Sequence, residues 1–463
     1  MSRTPFRFDW IGVLVVGVTS ARAQQVGHLT LREAMLSALK GRPELVAARS
    51  QVDASAARLR QARSGTLPNI ILQGVATDGP AGAPTFGPLE NPALLGTNPM
   101  SLEGLAADPL KKQFGAGITI NQPLFDFGRT AHLSAAKSNL VQASIQDAET
   151  QAASVLLEVQ RSYFEVLHRK SILKVREQDQ IQRRSTLEQA RAFVEAQIRS
   201  GVDLQTALAN ESESKSQLLA AQNDLLIAYA QLNHDMGSTT LSTPELDSIK
   251  RDSRPIDLPT SSEEALDMAL KHRPEVLSLE KQSLAASQMI KGIRNELLPR
   301  LDFIGSVGAL RPSSLITTDK NYAVGVALSI PIFTGGYVEG RLSEERSKKN
   351  LVDAQAKALI EGVKLQATKT WLDERTASSQ VETRKIQKVA ADKALELASE
   401  RYRLKLSSLV ELNEAESLAV RAAEQLASAE FALEIANSNL AWATGSTLKD
   451  FAHEVHQALG RTP

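Results

Sequence analysis

The chain spells out one half-molecule twice. Glu33-Ala34, Ala38-Leu39-Lys40 and Arg42-Pro43-Glu44 return as Glu264-Ala265, Ala269-Leu270-Lys271 and Arg273-Pro274-Glu275, a shift of about 231 positions. Leu67-Pro68 recurs as Leu298-Pro299 at the same shift. Further on, Gln122-Pro123-Leu124-Phe125-Asp126-Phe127-Gly128 answers Ile330-Pro331-Ile332-Phe333-Thr334-Gly335-Gly336, now at about 208. The shift falls because the first copy holds a longer Pro/Gly-rich insert at 77–112, the kind of extra length a loop tolerates. A repeat this long is no solenoid unit; it predicts two interlocked halves.

Lysine plus arginine equals aspartate plus glutamate, 53 against 53, so charge gives no sign of a nucleic-acid partner. Cysteine is absent, which removes disulfides, thiolate metal sites and the lipid-acceptor cysteine of a lipoprotein. Arg3 and Arg7, an apolar stretch from Ile11 to Val18 and Ala21-Arg22-Ala23 predict a signal peptide over 1–23. Its apolar part is far short of the ~20 residues that span a bilayer. No other run is long enough for a spanning helix, so any entry into a membrane must be as a barrel.

Strict alternation marks the clearest strand. Tyr322, Val324, Val326, Leu328 and Ile330 share one face, against Ala323, Gly325, Ala327 and Ser329. The first copy repeats it with Phe114, Ala116, Ile118 and Ile120 against Gly115, Gly117, Thr119 and Asn121. Large apolar on one side and small or polar on the other suits a lipid-facing barrel strand, although a half-buried soluble strand alternates too. Ile70, Leu72 and Gly74, matched by Leu301, Phe303 and Gly305, give weaker strands. Strands are expected at 69–77, 113–122, 300–309 and 321–330.

Long helices complete the pattern. No Gly or Pro interrupts 129–200, ~105 Å of helix at about 1.5 Å per residue, nor 363–444. Apolar residues keep a heptad through Leu412, Ala415, Ala419, Ala422, Leu426, Ala429, Leu433, Ala436 and Leu440. Alternating Leu and Ala permits close coiled-coil packing, and a stripe this narrow predicts a wall one layer thick. Helices are expected at 129–200, 202–236, 337–405 and 408–444. The first repeat then covers 24–236, a polar connector 237–259, the second repeat 260–445 and a C-terminal tail 446–463. The fold class is mainly α with a small β contribution. Four strands cannot close a membrane barrel, for which about eight is the minimum, so copies must pool them. Two or three copies satisfy that arithmetic equally.

The duplicated A-L-K-x-R-P-E opening and the (Q/I)-P-(L/I)-F-x-x-G turn, built on Pro123, Phe125, Gly128, Pro331, Phe333, Gly335 and Gly336, resemble the TolC family of outer-membrane efflux factors. The resemblance runs from about Leu29 to Gly445. It implies a homotrimer with a twelve-stranded transmembrane β-barrel in outer-membrane lipid and an α-helical tunnel through the periplasm. It also implies a periplasmic adapter (a membrane fusion protein) and an inner-membrane pump such as an RND or ABC transporter. No cofactor follows from it. In that family, acidic residues at the positions of Glu411 and Glu414 line the tunnel's constriction, and Asp203 is the first-copy counterpart of Glu411. Read without the family, these are a solvated helix face. The adapter-docking tips fall on Ala196, Gln197, Ile198 and Arg199, and on Leu404, Lys405, Leu406 and Ser407. The family's tip glycine is missing from both.

An enzyme is not expected. His453-Glu454-Val455-His456 lacks the spacing of H-E-x-x-H, and no phosphate-cradling loop or nucleophile elbow is found. Arg183-Arg184 is too small a cluster for nucleic acid. The reading is a passive outer-membrane export duct; the alternative is a soluble periplasmic coiled-coil adapter that never inserts.

Overall fold

A computed structural model of the chain describes residues 28–78, 112–238, 240–247, 258–312 and 319–460. The expected signal at 1–23, nearly all of the 77–112 insert and part of the 237–259 connector lie outside the described residues. No helix among the described residues is long and apolar enough to cross a membrane.

Each repeat opens with the same two helices. In the first, α1 (Leu31–Gly41) starts at Thr30, whose side chain accepts from Glu33 N while the Glu33 carboxylate accepts from Thr30 N. In the second, α5 (Ser262–His272) is capped by Ser261, with Glu264 reaching back to Thr260 N at 2.8 Å. Then come α2 (Pro43–Ser64) and α6 (Pro274–Arg294), each with its proline in the first turn, where a missing N–H is harmless. The arginine before each proline is buried. Arg42 pairs with Glu158 at 2.8 Å and Glu44 at 3.1 Å; Arg273 donates to Gln366 and lies 4.7 Å above the Trp442 ring. The A-L-K-x-R-P-E signature is thus a packing element at the waist of the molecule.

Four strands form one antiparallel sheet in the order β2-β3-β5-β6: β2 (Asn69–Asp78), β3 (Lys112–Phe125), β5 (Arg300–Pro312) and β6 (Asp319–Ser329). Short strands β1 (His28–Leu29) and β4 (Glu245–Leu246) pair separately, clasped by the Tyr163 hydroxyl at 2.9 and 3.0 Å from the Leu29 and Asp247 carbonyls. Cross-strand register in the large sheet aligns like with like. Leu72, Ile118, Val307 and Tyr322 form one row, and Ile71, Thr119, Ser306 and Ala323 the next. One face is therefore large and apolar across all four strands, and Ile70, Leu72, Val324, Val326 and Leu328 are exposed on it. β3 runs on past Pro123 to Phe125 through an irregularity in register, whereas β6 stops before Pro331. A bulge is where a strand tolerates a residue without an N–H.

Two 67-residue helices, α3 (Arg129–Glu195) and α7 (Tyr337–Arg403), lie exactly one repeat apart and run ~100 Å each. They return as α4 (Gly201–Asp235) and α8 (Leu409–Thr444). Near the sheet the packing order is α2-α3-α6-α7, and at the far end α4-α3-α8-α7. The chain is a slab one helix thick. Within the expected tail, residues 446–460 are packed: α9 (Ser446–Asp450) and α10 (Ala452–Ala458) bring Phe451, Val455 and Leu459 into the main core beside Met35 and Leu156. Both long helices end short of the expected 200 and 405, because the chain reverses through a tight left-handed turn. Gln197 and Lys405 have φ of 57° and 66°, with Ile198 N bonded to Phe193 O and Leu406 N to Arg401 O, both at 2.8 Å. Gln197 N and Lys405 N close the inner ring at 2.9 Å, completing a Schellman motif at each tip. Neither left-handed position is a glycine, which costs about 1 kcal/mol per residue. Lys405→Gly and Gln197→Gly should each stabilise by up to about 1 kcal/mol, read as a higher melting temperature, while Lys405→Val should lower it.

Candidate gate and docking tips

The candidate gate residues sit where two helices begin. Ser408 Oγ accepts from Glu411 N at 3.2 Å, placing Glu411 in the first turn of α8, where a carboxylate meets the helix's positive end. Asp203 holds the same place on α4 behind Ser200. Glu411 pairs with Arg401 at 3.1 Å, both partners half exposed, so the pair contributes little. Glu414, three residues on and therefore on the same helix face, is exposed and has no ion pair among the described residues. Asp203 is half-buried and close enough to Tyr402 to disfavour its phenolate.

Aromatic and cationic groups from both copies tie the tips together. The Phe193 and Tyr402 rings lie 5.6 Å apart; the Arg199 guanidinium lies 5.9 Å above Tyr402, and Lys405 Nζ is as far above Phe193. Arg199 donates to the Ser407 carbonyl, so one tip holds the other's backbone. Tyr402 is fully buried, with Leu187, Ala190, Ala207, Ala398, Leu409 and Leu412 around it. Burial, then the Asp203 charge, raises its pKa. Its hydroxyl and that of Ser407 have no hydrogen-bond partner among the described residues. Outside this cluster the tips are apolar and wet. Ile198 and Val202 on the first copy and Leu404, Leu406 and Val410 on the second are all exposed, alongside Ala196 and Gln197.

A second cluster, higher up the slab, was not singled out in the sequence. Arg183 on α3 lies 2.6 Å from Glu416 of α8 and 3.3 Å from Asp179. It also donates to Asn413 Oδ1 and Ser417 Oγ. Thr186 donates to Glu416 at 2.6 Å, Gln182 reaches it at 3.3 Å, and Ser214 of α4 donates to Asp179 at 2.7 Å. Glu416 is 1% exposed. Charges that far from water persist only when paired and fully hydrogen-bonded. A glutamate one residue off the Leu412-Ala415-Ala419 stripe was the available signal, but on one helix it reads as a solvated flank.

At the opposite end, Asp126 Oδ1 and Oδ2 accept from Gly128 N and Thr130 N, and Phe127 takes the left-handed φ of 51° that Gly335 supplies in the second copy. Phe125 stacks edge-on to Phe127 at 4.7 Å. Phe125, Ile332 and Phe333 are exposed, giving the sheet's base an apolar girdle next to Pro123, Pro331, Gly128 and Gly336. His453 is exposed, while Glu454 pairs with Arg32 and His456 lies 3.4 Å from Glu149. No group of metal-binding residues occurs among the described residues.

Comparison with known proteins agrees with this geometry. A solved structure of the CmeC outer membrane channel of Campylobacter jejuni superposes with a TM-score of 0.75 over 92% of this chain and 89% of that one, at 17% identity. The outer membrane efflux protein BepC of Brucella suis biovar 1 (strain 1330) is 24% identical over 338 residues, 72% of either chain. TolC of Escherichia coli (strain K12) is 22% identical over 363 residues, 75% of this chain and 72% of its own. The family profile for outer membrane efflux proteins matches residues 35–238 and 265–446, the two repeats in turn. The chain belongs to the outer membrane efflux protein family.

Proposed function

We propose that three copies of this outer membrane efflux protein close into one passive duct. A twelve-stranded barrel crosses the outer membrane, and a helical tunnel continues it through the periplasm towards an adapter and an inner-membrane pump of the RND or ABC kind. The reading rests on one observation about the duplicated helices. Leu157 and Phe164 of α3 are 7% and 6% exposed, on a helix covered by α8; Leu365 and Leu372, their exact counterparts on α7, are 71% and 51% exposed. What covers the first pair is a return helix; what covers the second is missing from one chain. α4 lies at the other edge of the slab and exposes Leu208, Leu219 and Leu226. The edges complement each other head to tail, and such a contact closes into a ring when its rotation divides the circle.

The sheet repeats the argument. β2 and β6 each have one side unpaired, and their apolar face suits hydrocarbon, where an open edge is not tolerated. β5 and β6, 13 and 11 residues long, reach at least the ~9–11 residues a tilted strand needs to span. The girdle of Phe125, Phe127 and Phe333 would lie at the periplasmic boundary of the lipid. Glu411 and Glu414, with Asp203 behind them, would ring the inner mouth and favour cations. The exposed tips Ala196 to Arg199 and Leu404 to Ser407, extended by Val202 and Val410, would receive the adapter's apolar ends. A soluble adapter, the alternative, leaves the apolar sheet face without a purpose.

Two experiments test this. Leu365→Glu with Leu372→Glu should convert trimers to monomers in detergent, read by light scattering; an intact trimer would reject the assigned edge. Glu411→Gln with Glu414→Gln should raise conductance or weaken cation preference in planar bilayers, and unchanged currents would remove these residues from the gate.

A further inference from the structure

A pair of cations stands ahead of each entry to the sheet. Arg60 and Arg63 precede Leu67-Pro68 at the end of α2; Lys291 and Arg294 precede Leu298-Pro299 at the end of α6. The two pairs are exact repeat counterparts. The other cations of α2 are not kept: Arg49 becomes Glu280 and Arg58 becomes Met289. A cation in a last turn complements the helix dipole, which accounts for one at each helix end but does not call for a second behind it. All four are exposed and have no ion pair among the described residues. Nearby carboxylates are already engaged. Glu296 holds Arg129 at 3.1 Å and Arg341 at 2.6 Å, and Asp302 holds Arg300 at 2.8 Å.

Ring closure leaves these cations uncovered. α6 already has both neighbours within the chain: Ser278 donates to Asp147 of α3 and Ser283 to Asp353 of α7, each at 2.6 Å. Lys291 and Arg294 stay exposed between those helices. By the repeat, Arg60 and Arg63 stay exposed once a second copy completes the far side of α2. Lys291 shares its open stripe with Glu280 and Leu284, while Ile293, on the far side of the helix, is buried. Next to the cations the surface turns apolar. Leu67 and Leu298 are exposed four residues on, and Ile332 and Phe333 are exposed at the foot of β6. From Arg60 to Arg63 the helix rises ~4.5 Å. The headgroup layer on each side of a bilayer is roughly 5–7 Å deep, so one pair spans most of it. We propose that the two pairs form a basic collar that binds the phosphodiester headgroups of anionic phospholipids in the periplasmic leaflet, setting the depth of the barrel. This rests on the trimeric-duct reading above. Guanidinium forks match phosphate oxygens, and their stems lie along the apolar lip while the charge stays in water.

The test places the full-length protein in nanodiscs of phosphatidylethanolamine with a minor share of phosphatidylglycerol and counts the lipids it retains by native mass spectrometry. Wild type should retain phosphatidylglycerol several-fold above its share, and the enrichment should shrink as ionic strength rises. Arg60→Gln, Arg63→Gln, Lys291→Gln and Arg294→Gln together should return retention to the bulk ratio. Arg49→Gln with Arg58→Gln removes two cations from the same helix and should change nothing. A folded, trimeric quadruple variant with wild-type enrichment overturns the collar, and so does an equal loss in the Arg49 and Arg58 variant. Displacement of the lipid by millimolar inorganic phosphate would mark a free-anion site and overturn the lipid assignment. Should the quadruple variant fail to fold, the two double variants decide: each should lose about half of the enrichment, and wild-type retention in both overturns the proposal. A wild-type chain that never enters the bilayer rejects the duct and the collar together, whereas an inserted trimer indifferent to headgroup rejects the collar alone.

Discussion

Unfinished edges govern this molecule. At the sheet, β2 from the first repeat and β6 from the second each leave one side unpaired. Along the slab, α2 and α4 from the first repeat form one border and α7 from the second forms the other. The polarity is the same at every level: first-repeat elements on one flank, second-repeat elements on the opposite one. A lipid environment offers no water to satisfy an open strand edge, and a periplasm offers nothing apolar to cover Leu365 and Leu372 except another protein. One rotation serves both requirements, since sheet and slab share their flanks. In the proposed trimer, barrel closure and tunnel closure are a single event.

Duplication fixes the frame, and departures from it carry the specialisation. Both tips take a left-handed turn without glycine, at Gln197 and Lys405, so the turn is needed twice and its strain is tolerated twice. At the base of the sheet only one copy is strained: Phe127 takes the conformation that Gly335 adopts freely. Phe127 gains a ring contact with Phe125 in return, which a glycine could not make. Arg183 is the largest departure. Its counterpart is an alanine, and its charge is met by Asp179 of its own helix and by Glu416 of α8, with Ser214 of α4 donating to Asp179 in turn.

What could be read in advance follows from how far each feature depends on distant residues. The strands announce themselves because period-two alternation is local, and Tyr322 to Leu328 expose their large residues just as the spacing demands. The heptad of α8 is equally local; Leu412, Ala419, Ala422, Ala429 and Leu440 are buried. Glu416 looks solvated on its own helix, and Arg183 stands out only as half of an Arg183-Arg184 pair too small for nucleic acid; the meeting of α3, α4 and α8 desolvates both. The C-terminal helix is legible locally, since Phe451, Val455 and Leu459 are spaced along one face, but the core that accepts them is made by α1 and α3. Glu411 and Glu414 are intermediate. Sequence placed them at the helix start, while a ring of carboxylates belongs to the assembly and not to one chain.

The balance at the inner mouth can be argued from these parts. Arg401 offsets Glu411, but an exposed pair of this kind contributes roughly 0–1 kcal/mol. Glu414 has no such partner among the described residues, so three copies would bring three unneutralised carboxylates towards one axis. Repulsion there favours the open state, and the exposed pairs are too weak to oppose it. In the proposed trimer, closure would draw on contacts shielded from water: the tilted Phe193–Tyr402 ring pair with its apolar surround, the Arg199 grip on Ser407, and the ion cluster above them. Each of these joins the first repeat to the second within a chain.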